Sequence, residues 1–263
     1  MKKEVIASTT HVDRDGDKMT LDALVGNIEQ IRSHFIPVMV EHDPRIPPLG
    51  RIDSACIEFL DDGEYALKTT LEIFDEETLL QPSEKREMIL EYNNILPGKI
   101  QIDYDRSYKT QKGKIDDIVK IVGGKCSLHL RKSMDPISIL TIVGVFAVSQ
   151  ISSGFFKKIG SDVYDMLKNI IKNRQNKNKE NILQFKIIDL QQKIIVEINI
   201  TNPDKHNMDI FYKKIVPKLD NIVLNDLSGH TDIRKVVYEY YNSNFKLLFF
   251  IGKDCIPILP KGK

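Results

Sequence analysis

An imidazole at the end of an apolar strand, beside a rigid loop, is placed to act as a general base. His42 stands in such a position. It follows the apolar run Val38-Met39-Val40 by two residues and precedes Pro44, Pro47, Pro48 and Gly50. Near neutrality histidine can take and return a proton. Two hydroxyls are candidate nucleophiles for it. Ser127 lies two residues before His129, so on a strand their side chains share a face. Ser107 is the second. A hydroxyl activated by an imidazole attacks carbonyl carbon, and backbone amides beside the serine then stabilise the oxyanion. The competing readings are an exposed strand-end histidine at 42 and ordinary strand residues in Ser127-Leu128-His129-Leu130. Cys126 is a weaker nucleophile candidate.

Other patterns point away from metals and cofactors, and none is expected. Cys56, Cys126 and Cys255 are far apart and form no CxxC pair. Asp13-Arg14-Asp15-Gly16-Asp17 hints at a calcium loop, but its glycine is fourth rather than sixth and its twelfth residue is Leu24 rather than glutamate. A turn before a helix start at Thr20 fits better. His206 and His230 fall in polar stretches. With 38 basic and 37 acidic side chains the net charge is +1, so nucleic acid is not an expected partner. The lysine-rich run from Lys157 to Lys179 reads as a solvated helix end and linker. Met1–Asp17 has no apolar h-region, so no secretory leader is expected.

The elements that must position these groups follow from spacing. Val5–Thr9 predicts a strand. Leu24, Ile28, Ile31 and Phe35 predict a helix capped by Thr20 and stopped at Pro37. Arg51–Leu60 and Glu64–Phe74 predict a hairpin across Asp61-Asp62-Gly63. Pro82–Glu91 predicts a polar amphipathic helix. Lys99–Tyr108, Lys114–Val122 and Lys125–Leu130 read as strands. Val163–Lys172 reads as an amphipathic helix. In the last third, Ile182–Leu190 with Lys193–Thr201 and Arg234–Tyr241 with Phe245–Ile251 predict hairpins, with a helix over Met208–Leu219 between them.

Three motifs in Ala7–Arg51 carry a family resemblance: Val12-Asp13-Arg14-Asp15-Gly16-Asp17, Pro37-Val38-Met39-Val40-Glu41-His42-Asp43 and Pro48-Leu49-Gly50-Arg51. In these the chain resembles the prohead serine proteases of tailed phages, which cut scaffold and capsid proteins during head maturation. The resemblance implies a mostly β barrel and a His, Ser, acid triad. It places the base at His42. Where the family carries its serine this chain has Gln101, an amide with no ionisable nucleophile. Where the family carries its acid, before a Ser-Leu strand, this chain has Lys125-Cys126-Ser127-Leu128. A herpesvirus-type relative of the fold uses serine with two histidines, which keeps Ser127 and His129 in view.

Residues 136–156 contain no charge, close to the roughly 20 apolar residues of a membrane-spanning helix. The run reads as one central hydrophobic helix, and three placements are open: a buried or oligomer-core helix, a helix inserted on activation, and a permanent span. The last would put the two flanking domains on opposite sides of a membrane.

The fold class expected is therefore α+β. A prohead-protease-like β domain spans 1–132. The hydrophobic helix, its amphipathic continuation and a basic linker span 133–180. A small α/β domain spans 181–263. The expected function is a prohead-protease-like, catalytically defective protein, cytoplasmic or associated with an inner membrane. It would bind a polypeptide partner, a membrane on activation, and further copies of itself. By analogy this suits phage defence. The alternatives are an active serine endopeptidase with a relocated nucleophile and an oligomeric scaffold.

Overall fold

The computed structural model describes residues 2–11, 18–33, 36–38, 44–74, 100–128, 137–146, 151–173, 179–253 and 257–260. The chain is mixed α/β, mostly strands, in two sheets. It divides into Met1–Ile89 with Lys253–Pro257, and Leu90–Gly252 with Ile258–Lys263. His42, His129, Cys255, the Asp13–Asp17 motif and the helix expected over Pro82–Glu91 lie outside the described residues.

The first unit holds a four-stranded antiparallel sheet. Its strands are β1 (Lys2–Thr9), β2 (Pro37–Val38), β3 (Gly50–Phe59) and β4 (Tyr65–Ile73), in the order β1-β4-β3-β2. Helix α1 (Leu21–Ser33) starts where Thr20 Oγ1 accepts the Ala23 amide at 3.2 Å. Leu24, Ile28 and Ile31 fall on one stripe and pack on Leu67, with Ile52, Ile57 and Tyr65 around them. The opposite face is wet and charged: Lys68 Nζ reaches Glu4 at 3.1 Å and Glu58 at 3.9 Å. One covered face and one open face is what a two-layer antiparallel sheet requires.

The second unit is built from three successive strand–helix–strand steps, each joining parallel neighbours. The first is β5 (Ile100–Tyr104), a short 3₁₀ turn, α2 (Lys112–Val122) and β6 (Lys125–Leu128). The second is β7 (Ile137–Phe146), α3 (Ile151–Lys172) and β8 (Glu180–Asp189). The third is β9 (Ile194–Thr201), a helical run over 205–227 and β10 (Ile233–Tyr241). With β11 (Asn244–Gly252) and β12 (Pro257–Ile258) the sheet has eight strands, in the order β12-β11-β10-β9-β8-β7-β5-β6.

The helices share one buried cluster with that sheet. Ile115 and Ile118 of α2, Phe155 through Ile171 of α3, and Met208 through Val223 of the third run all join it. Phe156 stands edge-on to Phe185 and Phe211 at 5.2 and 5.9 Å between centroids. The third run breaks at Pro217, which has no N–H to give. A π turn over Phe211–Ile215 and a 3₁₀ turn over Val216–Lys218 absorb the loss before α5 (Leu219–Leu227); its first part is α4 (Lys205–Ile210).

Two elements correct the expectations. Lys114–Val122 is helix rather than strand, because Ile115, Ile118 and Val122 recur at helical spacing and Gly123, at φ 66°, ends the run. The uncharged stretch 136–156 is not one helix. Ile137–Phe146 is a strand, buried at nine of its ten positions, and α3 begins at Ile151. Among the described residues no helix is long and apolar enough to cross a membrane, which overturns the transmembrane-helix expectation. The physical reason is β-branching. Ile137, Ile139, Thr141, Ile142, Val143 and Val145 favour an extended chain, and a strand covered on both faces needs an unbroken apolar run.

Gly124 carries a further check on this unit. A Cβ there would lie 1.9 Å from the Ile100 carbonyl oxygen. Gly124→Ala is expected to cost about 1–3 kcal/mol, as overpacking does. An unchanged thermal midpoint would contradict the close approach of β5 to the α2–β6 turn.

Candidate functional site

Of the serine candidates, Ser107 is sealed. It is 3% exposed, and its Oγ lies 2.7 Å from Oγ of the fully buried Ser138. Asp105 holds the turn, accepting the Ser107 amide at 2.8 Å and the Ile139 amide at 2.7 Å. Tyr108 donates to Asn181 beside it. A hydroxyl paired with a second hydroxyl has no base to take its proton, so this cluster ties β5 to β7 and β8. Ser127 lies on β6, in register with Asp103; its side chain is outside the described residues. Cys126 Sγ lies 3.1 Å from Asp116 Oδ1. Burial, and then that carboxylate, push its thiol above the ordinary range, which disfavours the thiolate a nucleophile needs.

Gln101, at the position the resemblance gives to the serine, stands on β5 and donates its amide to Asp103 at 2.8 Å. Gln101 pairs in register with Lys125 in the larger sheet, whereas Pro37 and Arg51 pair in the smaller one. The structure thus places the motif segments around 37–51 and 101–128 in different sheets.

The most concentrated polar chemistry is a row across the larger sheet, on the face away from the helices. Strand register aligns Asp103, Thr141, Gln184, Asn199 and Glu239 on β5, β7, β8, β9 and β10. All five are buried. Thr141 donates to Gln184 at 3.1 Å, and Gln184 donates to Asn199 at 2.9 Å. Thr201 and Lys246 reach Glu239 at 3.0 and 2.9 Å.

One step along the strands lies Glu197, 0% exposed. Gln184 and Asn199 donate to its Oε1 at 3.0 and 3.2 Å. Lys235 and Lys186 stand 2.7 and 3.9 Å from its Oε2. Burial pushes this carboxyl up, but Lys235 and Lys186 outweigh it, and the group is held below the ordinary glutamate range. Its charge is therefore kept, compensated and hydrogen-bonded, as a buried carboxylate must be. A buried network of this kind, with Oε2 held by ion pairing to the two lysines, fixes which residues face each other across the strands.

A second polar cluster lies in the first unit. Thr10 donates to Glu64, and Lys18 reaches the same carboxylate at 3.1 Å. Glu64 thereby holds Thr10 and Lys18 together. His11 lies 2.7 Å from Asp62 and, with the Glu64 amide, holds that carboxyl below its usual range. Both partners are exposed, so the pair is screened and worth little to stability.

Among the described residues no group of three or more His, Cys, Asp or Glu side chains could hold a metal ion. Sequence reasoning missed the polar row and the Glu64 clasp. The row had a signal: polar residues interrupt otherwise apolar strands, as Glu197 and Asn199 do in Ile194-Ile195-Val196-Glu197-Ile198-Asn199. No family model, curated protein or solved structure matches the chain. The likeness to prohead proteases rests on the motif residues of 7–51 alone.

Proposed function

We propose that the chain is a polypeptide-binding protein with a prohead-protease-like N-terminal β domain that works without peptidase turnover. The observation that carries this reading is the edge of the smaller sheet. β1 runs eight residues and pairs with β4 on one side; among the described residues nothing pairs with its other side. An open edge of this length can take a further strand from an extended partner, gaining backbone hydrogen bonds without a nucleophile. Lys2 is tied to Asp53, and a bulge interrupts the ladder between Ile6 and Ser8, so Lys3–Ile6 is the usable stretch. Ile6 stands exposed there as an apolar anchor. The sealed Ser107 and the engaged amide of Gln101 fit the same reading. The partner class implied by the resemblance is an extended capsid or scaffold segment of a tailed phage.

Two measurements test it. The protein is expected to capture unfolded β-casein by its edge, and Ile6→Lys, which puts a charge on that edge, is expected to weaken capture about tenfold while leaving the fold intact. Equal capture by the variant removes the edge from the account. Incubation with a fluorophosphonate is expected to leave the chain unlabelled and β-casein uncut. Labelling together with β-casein cleavage, both lost in Ser107→Ala or Ser127→Ala, would instead establish a serine endopeptidase.

A further inference from the structure

A cavity of about 700 Å³ opens beside the last turns of α3, in the range of small-molecule sites. Its other wall is the loop at Pro203 and the first turn of α4. Its lining carries three lysines and two aspartates. Asp165 is taken by Lys168 at 2.6 Å, and Lys168 also holds Asp209 at 2.9 Å. Asp204 is occupied as the cap of α4, accepting the Asn207 amide at 2.7 Å and its side-chain amide at 2.9 Å. Both carboxylates in the lining are therefore committed. Lys172 and Lys205 also line the cavity, and neither has an ion-pair partner within 4.0 Å among the described residues. Asn169 adds an amide to the lining. The wall behind is apolar: Ile171, Pro203 and Met208 are buried.

We infer that this cavity binds a small organic oxyanion, a phosphate or carboxylate on a compact apolar body, held by Lys172 and Lys205 against Ile171 and Met208. Two uncommitted ammoniums and an amide offer donors to an anion. The apolar wall gives a reason to prefer an ester over the bare ion. Among the described residues the lining holds no aromatic ring to stack on a nucleobase.

Calorimetric titration of the full chain with inorganic phosphate, butyl phosphate and butyrate tests this inference. Butyl phosphate is expected to bind more tightly than inorganic phosphate, and its advantage over butyrate identifies the phosphate as the preferred head. The reverse order identifies carboxylate. Lys172→Gln with Lys205→Gln is expected to weaken binding about tenfold, and added salt to weaken it further. Both side chains are exposed, so the double variant should keep the wild-type thermal midpoint. Lys3→Gln, outside the cavity, should bind as the wild type does. No saturable binding at millimolar concentration, or equal affinity in the double variant and the wild type, overturns the inference.

Discussion

Ile142→Asp is expected to leave the larger unit unfolded. Ile142 is 1% exposed on β7, in register with Ile102 on one side and Phe185 on the other, within the cluster that also holds Phe155 and Phe156. Truncation to alanine alone costs about 2–5 kcal/mol at such a site. A carboxylate there meets no cation across either neighbouring strand, so the desolvation of its charge is added to the lost packing. Against a total stability of roughly 5–15 kcal/mol, the sum removes most or all of the margin. Ile142→Val, which keeps the β-branch, should cost only about 0.5–1.5 kcal/mol. Urea unfolding followed by circular dichroism reads both. A wild-type midpoint for Ile142→Asp would show that 137–146 is not a core strand.

That strand marks where the sequence was legible and where it was not. Alternation and turn residues located the hairpins. β3 and β4 meet across Asp61-Asp62-Gly63, and β10 and β11 meet across Asn242-Ser243, both at positive φ. Thr20 and the 24, 28, 31 spacing located α1. The stretch 137–146 defeated the same reasoning, because a strand buried on both faces and a buried helix have the same uncharged composition. Only the β-branched residues distinguish them, and in a run of 21 uncharged residues the length argued the other way. The strand–helix–strand steps were hidden for a related reason: the parallel pairing of β7 with β8 and β9 with β10 joins segments separated by whole helices, and no local signal reports it. His42 and the serines were visible in the sequence as residue types alone. The alignment of Asp103, Thr141, Gln184, Asn199 and Glu239 depends on register, which one sequence does not display.

Register is also what makes Glu197 the group whose partners matter most. Lys235→Met is expected to destabilise the protein by about 3–5 kcal/mol, because it leaves a buried carboxylate without its nearest cation. Glu197→Gln should also destabilise, leaving Lys235 and Lys186 facing a neutral amide. The double variant should be more stable than the sum of the two losses predicts, since removing both charges removes the uncompensated one. The pH dependence has a definite sign. The folded pKa of Glu197 lies below the ordinary 4.5, so its charge contributes stability above that value. As pH falls below 4.5 the unfolded chain binds the proton first, and the contribution is lost progressively until pH passes the folded pKa. The stability difference between wild type and Glu197→Gln should therefore be constant from pH 5 to 7 and shrink in acid. Additive single-variant losses, or a difference that does not change between about pH 5 and 2, would mean that Glu197 is not held as an anion by Lys235 and Lys186.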